Sequence, residues 1–111
     1  MQYCLSYLRP EILQMLQITP QQLHEWISAN KDFLLIDIRE DWERKAFNIG
    51  GIHIPMGDIP AHLTDIPTNK DVVMYCEKGI RSTITIQRLE HAGYHNIYNL
   101  NGGMKAWKEL K

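Results

Sequence analysis

Two continuous apolar runs, "FLLIDI" at residues 33–38 and "DVVMYC" at 71–76, restrict the fold more than any other feature of the chain. A strand with one solvated face alternates apolar and polar residues, whereas a run without alternation is covered on both faces. Such strands belong to parallel sheets, whose members are joined by crossovers that lay helices over the sheet. The sequence around the runs supplies those crossovers. "ITPQQLHEWISAN" offers Thr19 as N-cap, Pro20 at the first helical position, and Leu23, Trp26 and Ile27 at helical spacing. "REDWERKAF" reads as a short polar helix, and "GGIHIP" as a brief strand closed by Pro55. "DIPAHLTDIPTNK" reads as a proline-punctuated connection with one helical turn. "NIYNL" is a third strand, and "GGMKAWKEL" a closing helix with Met104 and Trp107 in the core. "STITI", residues 82–86, alternates like a strand and would pair with "VVMYC" as a hairpin about "EKG". However, Ile86, Leu89 and Ala92 continue at helical spacing, and Gly93 supplies a C-cap. A parallel strand also needs a crossover before "NIYNL". The segment is therefore expected to be a helix, and the fold class α/β.

At 111 residues the chain is the size of one ordinary domain, and no internal repeat divides it. Hydrophobic residues at 44% and charged residues at 23% are a globular composition. A net charge of −1, without a Lys/Arg block, offers nothing to neutralise a phosphate backbone, so no nucleic-acid partner is expected. No apolar stretch approaches membrane-spanning length. The N-terminus lacks a basic leader, and Arg9 and Pro10 interrupt its apolar run, so the expectation is a soluble cytoplasmic protein without a membrane partner. Residues 1–17 are read as an N-terminal extension ahead of a domain at 18–111. Leu5, Leu8, Ile12, Leu13 and Leu16 outline an amphipathic helix broken near Pro10, packed on the domain or forming a dimer contact.

Cys4 and Cys76 do not make a disulfide scaffold, and no Cys-x-x-Cys pair suggests zinc or a thioredoxin motif. His91 and His95 have ligand spacing, but Gly93 between them ends the helix, so no metal or cofactor is expected. Cys76 differs from Cys4 in its surroundings. In open parallel sheets, ligands bind at the carboxyl ends of the strands, in the loops leading to helices. Cys76 ends its strand, and a helix is expected to begin at about Arg81 or Ser82. Backbone N–H groups of a tight loop entering a helix favour negative charge, which promotes a thiolate and holds an anionic substrate. Gly79 suits the position where the backbone must curl. Lys78 and Arg81 add positive charge, and Glu77 removes some. A buried cysteine ending an apolar strand is by itself ordinary packing; the continuation "EKGIRS" is the feature that argues for chemistry.

"CEKGIRS" resembles the active-site loop of rhodanese-like domains: a cysteine, a short glycine-containing loop, then Arg-Ser opening a helix. "LLIDIREDWE" resembles the family's Asp-x-Arg segment, "IGGIHIP" its Gly-Ala-x-Asn-Ile-Pro stretch, and "LEHAGYHNIYNLNGGMKAW" its closing Ala-Gly, strand and Gly-Gly-x-x-x-Trp pattern. The likeness spans residues 18–110. It departs at "AFN", where the family has Gly-His-Ile, and at His53, which replaces a frequent asparagine. The resemblance implies a three-layer α/β/α fold around a mainly parallel five-stranded sheet. It also implies sulfur transfer through a persulfide on Cys76, from thiosulfate or another persulfide to cyanide or a thiol. Glu77, Lys78, Gly79, Ile80, Arg81 and Ser82 would form the substrate cradle, with Asp37 and Arg39 as an ion-paired support. Ser82 has no evident base and is read as a helix-terminal hydrogen-bonder.

Three other readings compete with this one. Phosphatases and arsenate reductases of related fold place five residues between cysteine and arginine; "CEKGIR" has four, a smaller cradle suited to one sulfur atom. A persulfide carrier fed by a protein donor would share the mechanism but not the partner. A non-catalytic regulatory binding module would not need the cysteine, which this chain keeps with Arg81.

Overall fold

The computed structural model describes residues 15–110. Strands β1 (Leu16–Ile18), β2 (Leu34–Asp37), β3 (Ile52–His53), β4 (Val72–Tyr75) and β5 (Ile97–Leu100) form one sheet in the order β1-β5-β4-β2-β3. Every pairing is parallel. Helices α1 (Pro20–Ser28), α2 (Asp41–Ala46), α3 (Ile80–His91) and α4 (Gly103–Lys108) and a 3₁₀ segment (Met56–Asp65) make the crossovers.

The unalternating run at β4 works as expected. Val72, Met74 and Cys76 face one layer, with Ile59 of the 3₁₀ segment and Ile86 and Leu89 of α3. Val73 and Tyr75 face the other, with Leu23 of α1 and Met104 of α4. Each strand residue is fully buried, and each such aliphatic side chain contributes roughly 1.5–3 kcal/mol of hydrophobic stabilisation. The fold is the three-layer α/β/α arrangement, with an all-parallel sheet.

Local grammar sets the helix starts. The Thr19 hydroxyl accepts from Gln22 N–H at 3.0 Å, and the Gln22 amide oxygen accepts from Thr19 N–H at 2.9 Å, a reciprocal cap ahead of Pro20. Helix α3 opens at Ile80, a residue earlier than expected, because Gly79 caps it in the left-handed conformation (φ 91°). That helix also decides the "STITI" ambiguity: Thr83 and Thr85 turn their hydroxyls onto the carbonyls of Gly79 and Arg81, one turn back, at 2.7 and 2.8 Å.

Two expectations need correction. The connection after Pro55 holds a ten-residue 3₁₀ segment, kinked at His62, in place of a single helical turn. Leu16, expected in a helix, lies in β1, which pairs with β5 from Leu16↔Tyr98 to Ile18↔Leu100. The sheet therefore begins two residues inside the N-terminal extension. The rest of that amphipathic pattern, and Cys4, lie outside the described residues. Among the described residues, no helix is long and apolar enough to cross a membrane.

Candidate active site

Cys76 leaves the carboxyl end of β4 beside the end of β2, and the loop to α3 closes around its sulfur. The left-handed turn at Gly79 aims its own N–H at Sγ, at 3.1 Å, and the Ser82 N–H in the first turn of α3 reaches Sγ at 3.3 Å. The Ser82 hydroxyl also lies 3.3 Å from Sγ. Cys76 is a free cysteine, only 1% exposed, at the bottom of a hollow of about 370 Å³ lined by Glu43, Glu77, Lys78, Ile80 and Arg81. Of the loop residues named from the sequence, Gly79 and Ser82 reach the sulfur, through backbone N–H groups, while Glu77, Lys78, Ile80 and Arg81 line the hollow.

Arg81 illustrates the difference. Both terminal guanidinium nitrogens donate to the carboxylate of Glu43 on α2, each at 2.8 Å. The hydrogen bond from Arg81 holds the Glu43 carboxyl down at about 2, and the same bond raises the pKa of Arg81. Glu43 escaped the sequence reading because a glutamate in "REDWERKAF" is indistinguishable from one on a solvated helix face. It also accepts from Glu40 N–H at 3.0 Å, as the third helical residue of a capping arrangement, and that spacing was its one visible signal.

Asp37 and Arg39 form a buried pair, 0% and 1% exposed. Arg39 donates from its backbone and Nε to Asp37 Oδ1 at 2.9 and 3.0 Å, and from Nη2 to Oδ2 at 3.0 Å. Burial pulls the guanidinium pKa down, but the hydrogen bonds and charge of Asp37 outweigh it, so Arg39 stays ionised. Its remaining contacts reach the two places where the sequence departs from the family pattern. Nη2 also donates to the carbonyl of Phe47, in "AFN", at 2.6 Å, and His53 Nε2 donates to the carbonyl of Arg39 at 2.7 Å. Arg39 Nη1 reaches Glu77 at 3.3 Å, and Lys108 approaches the same carboxylate at 3.9 Å. The charge of Glu77 is thus taken up away from the sulfur. Lys78 is exposed and has no carboxylate within ion-pair distance among the described residues.

The Gly-Gly pair serves the same loop. Met104 and Lys105 N–H groups donate to the carbonyls of Cys76 and Glu77 at 2.9 and 2.8 Å. A Cβ at Gly103 would lie 2.6 Å from the Cys76 oxygen, so only glycine lets α4 come this close. Behind the sulfur, the Ser82 hydroxyl donates to Asn99 Oδ1, and Asn99 Nδ2 donates to Gln17 Oε1 at 3.1 Å. The sequence reading missed both amides. An asparagine in a short strand carries no signal until its inward register is known.

Over residues 19–110 the sequence matches the family model of the rhodanese-like domain. The chain belongs to the rhodanese-like domain family. As a rhodanese-like domain it is 35% identical over 97 residues to "Putative sulfurtransferase YtwF" of Bacillus subtilis, covering 86% of this chain and 93% of that one. It is 36% identical over 92 residues to a protein named "Sulfurtransferase" of Allochromatium vinosum, covering 82% and 86%. Among solved structures, a rhodanese-like domain protein from Staphylococcus aureus superposes with a TM-score of 0.78 at 32% identity, covering 84% of this chain and 91% of that one.

Proposed function

We propose that the protein is a sulfurtransferase that carries a sulfane sulfur as a persulfide on Cys76. The observation that carries this reading is the sulfur itself, which accepts from two backbone N–H groups of a glycine-turned loop at the bottom of a hollow of about 370 Å³. Relatives named sulfurtransferases support it. With thiosulfate as donor, the Cys76 thiolate attacks the outer sulfur. The new S–S bond forms as the bond to the sulfonate sulfur breaks, and sulfite leaves with the electron pair. Cyanide or a thiolate then attacks the outer sulfur, the S–S bond breaks, and the Cys76 thiolate returns. Loop amides stabilise the anionic sulfur in both halves. Asp37 and Arg39 act by bracing the strand end, and the reading places the protein in a reducing compartment, the cytoplasm. The pairing of Arg81 with Glu43 supports sulfur over phosphate chemistry, because a phosphatase needs its arginine on the substrate.

The test is a thiosulfate-to-cyanide assay with wild type and Cys76→Ser, beside a phosphatase assay. Activity is expected to vanish in the variant, since a serine hydroxyl is barely ionised at neutral pH. Peptide mass analysis after exposure to thiosulfate is expected to find one extra sulfur on the peptide containing Cys76. Wild-type-like turnover in Cys76→Ser would remove that residue from the mechanism.

A second reading, transfer from a protein persulfide, is favoured by exposed apolar surface. Ile80, which lines the hollow, is 64% exposed, and Trp42, next to Glu43 in the chain, is 71% exposed; a small anion has no use for either. If that reading holds, Trp42→Ala weakens transfer from a persulfidated protein and leaves thiosulfate turnover intact.

A further inference from the structure

Ser82 has one hydroxyl proton and two neighbours able to accept it, Cys76 Sγ and Asn99 Oδ1. In the structure the proton goes to Asn99, so the hydroxyl faces the sulfur with its lone pairs. That suits a thiol, whose S–H it accepts. It does not suit a thiolate, which then keeps only the Gly79 and Ser82 N–H groups. Asn99 is buried, 4% exposed, and its amide could be turned either way in an apolar pocket. In the structure the Gln17 amide oxygen accepts from Asn99 Nδ2, and Asn99 Oδ1 points at Ser82. Turned the other way, the amide would donate to Ser82 and free the hydroxyl proton for the sulfur.

We infer that Asn99, hydrogen-bonded to Gln17 on the edge strand, competes with Cys76 for the Ser82 proton and so sets both the ionisation and the nucleophilic strength of the sulfur. The inference rests on Cys76 being the sulfur-bearing nucleophile. Withholding one hydrogen bond keeps the thiolate more basic, and a more basic thiolate is the stronger nucleophile once formed. Asn99 and Gln17 are positioning residues that act through Ser82 and touch no substrate. The charged groups around the sulfur are Lys78 and Glu77 on the loop, Arg81 with Glu43 from α2, and, through Glu77, Arg39 from the end of β2 and Lys108 from α4. None of them belongs to the Gln17–Asn99–Ser82 chain.

The experiment is the pH dependence of Cys76 alkylation by iodoacetamide, followed by intact mass in a Cys4→Ser background. Asn99→Ala is expected to move the alkylation midpoint to lower pH. The rate at a fixed pH below the midpoint then rises roughly two- to fivefold, as expected for one hydrogen bond gained by the thiolate. The plateau rate at high pH is expected to fall. Gln17→Ala, at an exposed position, should shift the midpoint in the same direction by less. In a Ser82→Ala background neither substitution should move it. A midpoint unmoved or raised by Asn99→Ala, or a shift that persists without Ser82, overturns the inference. If Asn99→Ala does not fold, Gln17→Ala carries the test, and an unmoved midpoint there is equally fatal. Alkylation reports the ionisation of Cys76 whether or not it carries sulfur, so this failure is distinct from failure of the sulfur-transfer reading.

Discussion

Two cations flank the candidate cradle, and their surroundings give them different parts. Arg81 spends both terminal nitrogens on Glu43, whereas Lys78 is exposed with its charge unanswered among the described residues. Lys78→Ala is therefore expected to raise the KM for thiosulfate about two- to tenfold with little change in kcat, the signature of lost uniform binding. Steady-state kinetics in low and high salt check it, because screening should erase the difference. Glu43 has a larger structural part. Its folded pKa of about 2 lies below the unfolded value of about 4.5, so its pairing stabilises fully above that value and is lost as pH falls toward 2. Urea unfolding is expected to find Glu43→Gln less stable by about 1–2 kcal/mol at neutral pH, modest because Arg81 is a third exposed and partly screened. The gap between variant and wild type should close between about pH 4.5 and 2. An equal gap at all pH values would mean that the charge pair is not its cause.

Element positions make the loop what it is, and Gly103 is the clearest lever. A methyl group there meets the Cys76 and Glu77 carbonyls at 2.6 and 2.7 Å, and a φ of 63° strains any L side chain. Gly103→Ala is expected to cost about 1–3 kcal/mol in unfolding experiments and to slow sulfur transfer at least tenfold, since small displacements of a cradle are catalytically expensive. Full activity would show that α4 does not hold the loop. The same element shows how far the sequence could be read. Gly102-Gly103 was legible as a family pattern, and Cys76, Gly79 and Ser82 were legible because glycine and helix-start residues have strong local preferences. Glu43, Asn99 and Gln17 were not, because each matters only through a partner 38, 17 or 82 residues away. Strand β1 was hidden for another reason: "LQI" is too short to show a period, and it is a strand by virtue of β5 beside it.

For the whole molecule, one sheet with a core on each face predicts a single cooperative transition. Met74 is fully buried in the layer that also contains Cys76, and Val73 in the opposite layer. Met74→Ala is expected to cost about 2–4 kcal/mol, and fluorescence and circular dichroism should still report coincident unfolding. Separated transitions would show that the two layers unfold independently. The sheet's outline has another consequence, for what the protein does when crowded. Its central strand "VVMY" is uncharged and rich in β-branched residues, the kind of segment that stacks into fibrils when exposed. It lies third of five, while the border strands β1 and β3 run to only three and two residues. A border that short gives a stray chain too few rungs to template on. Lys70 and Asp71 before the segment, and Glu77 and Lys78 after it, act as gatekeepers against stacking during folding. The arrangement that sets the thiol deep in the fold therefore also keeps its most adhesive strand out of reach of other molecules.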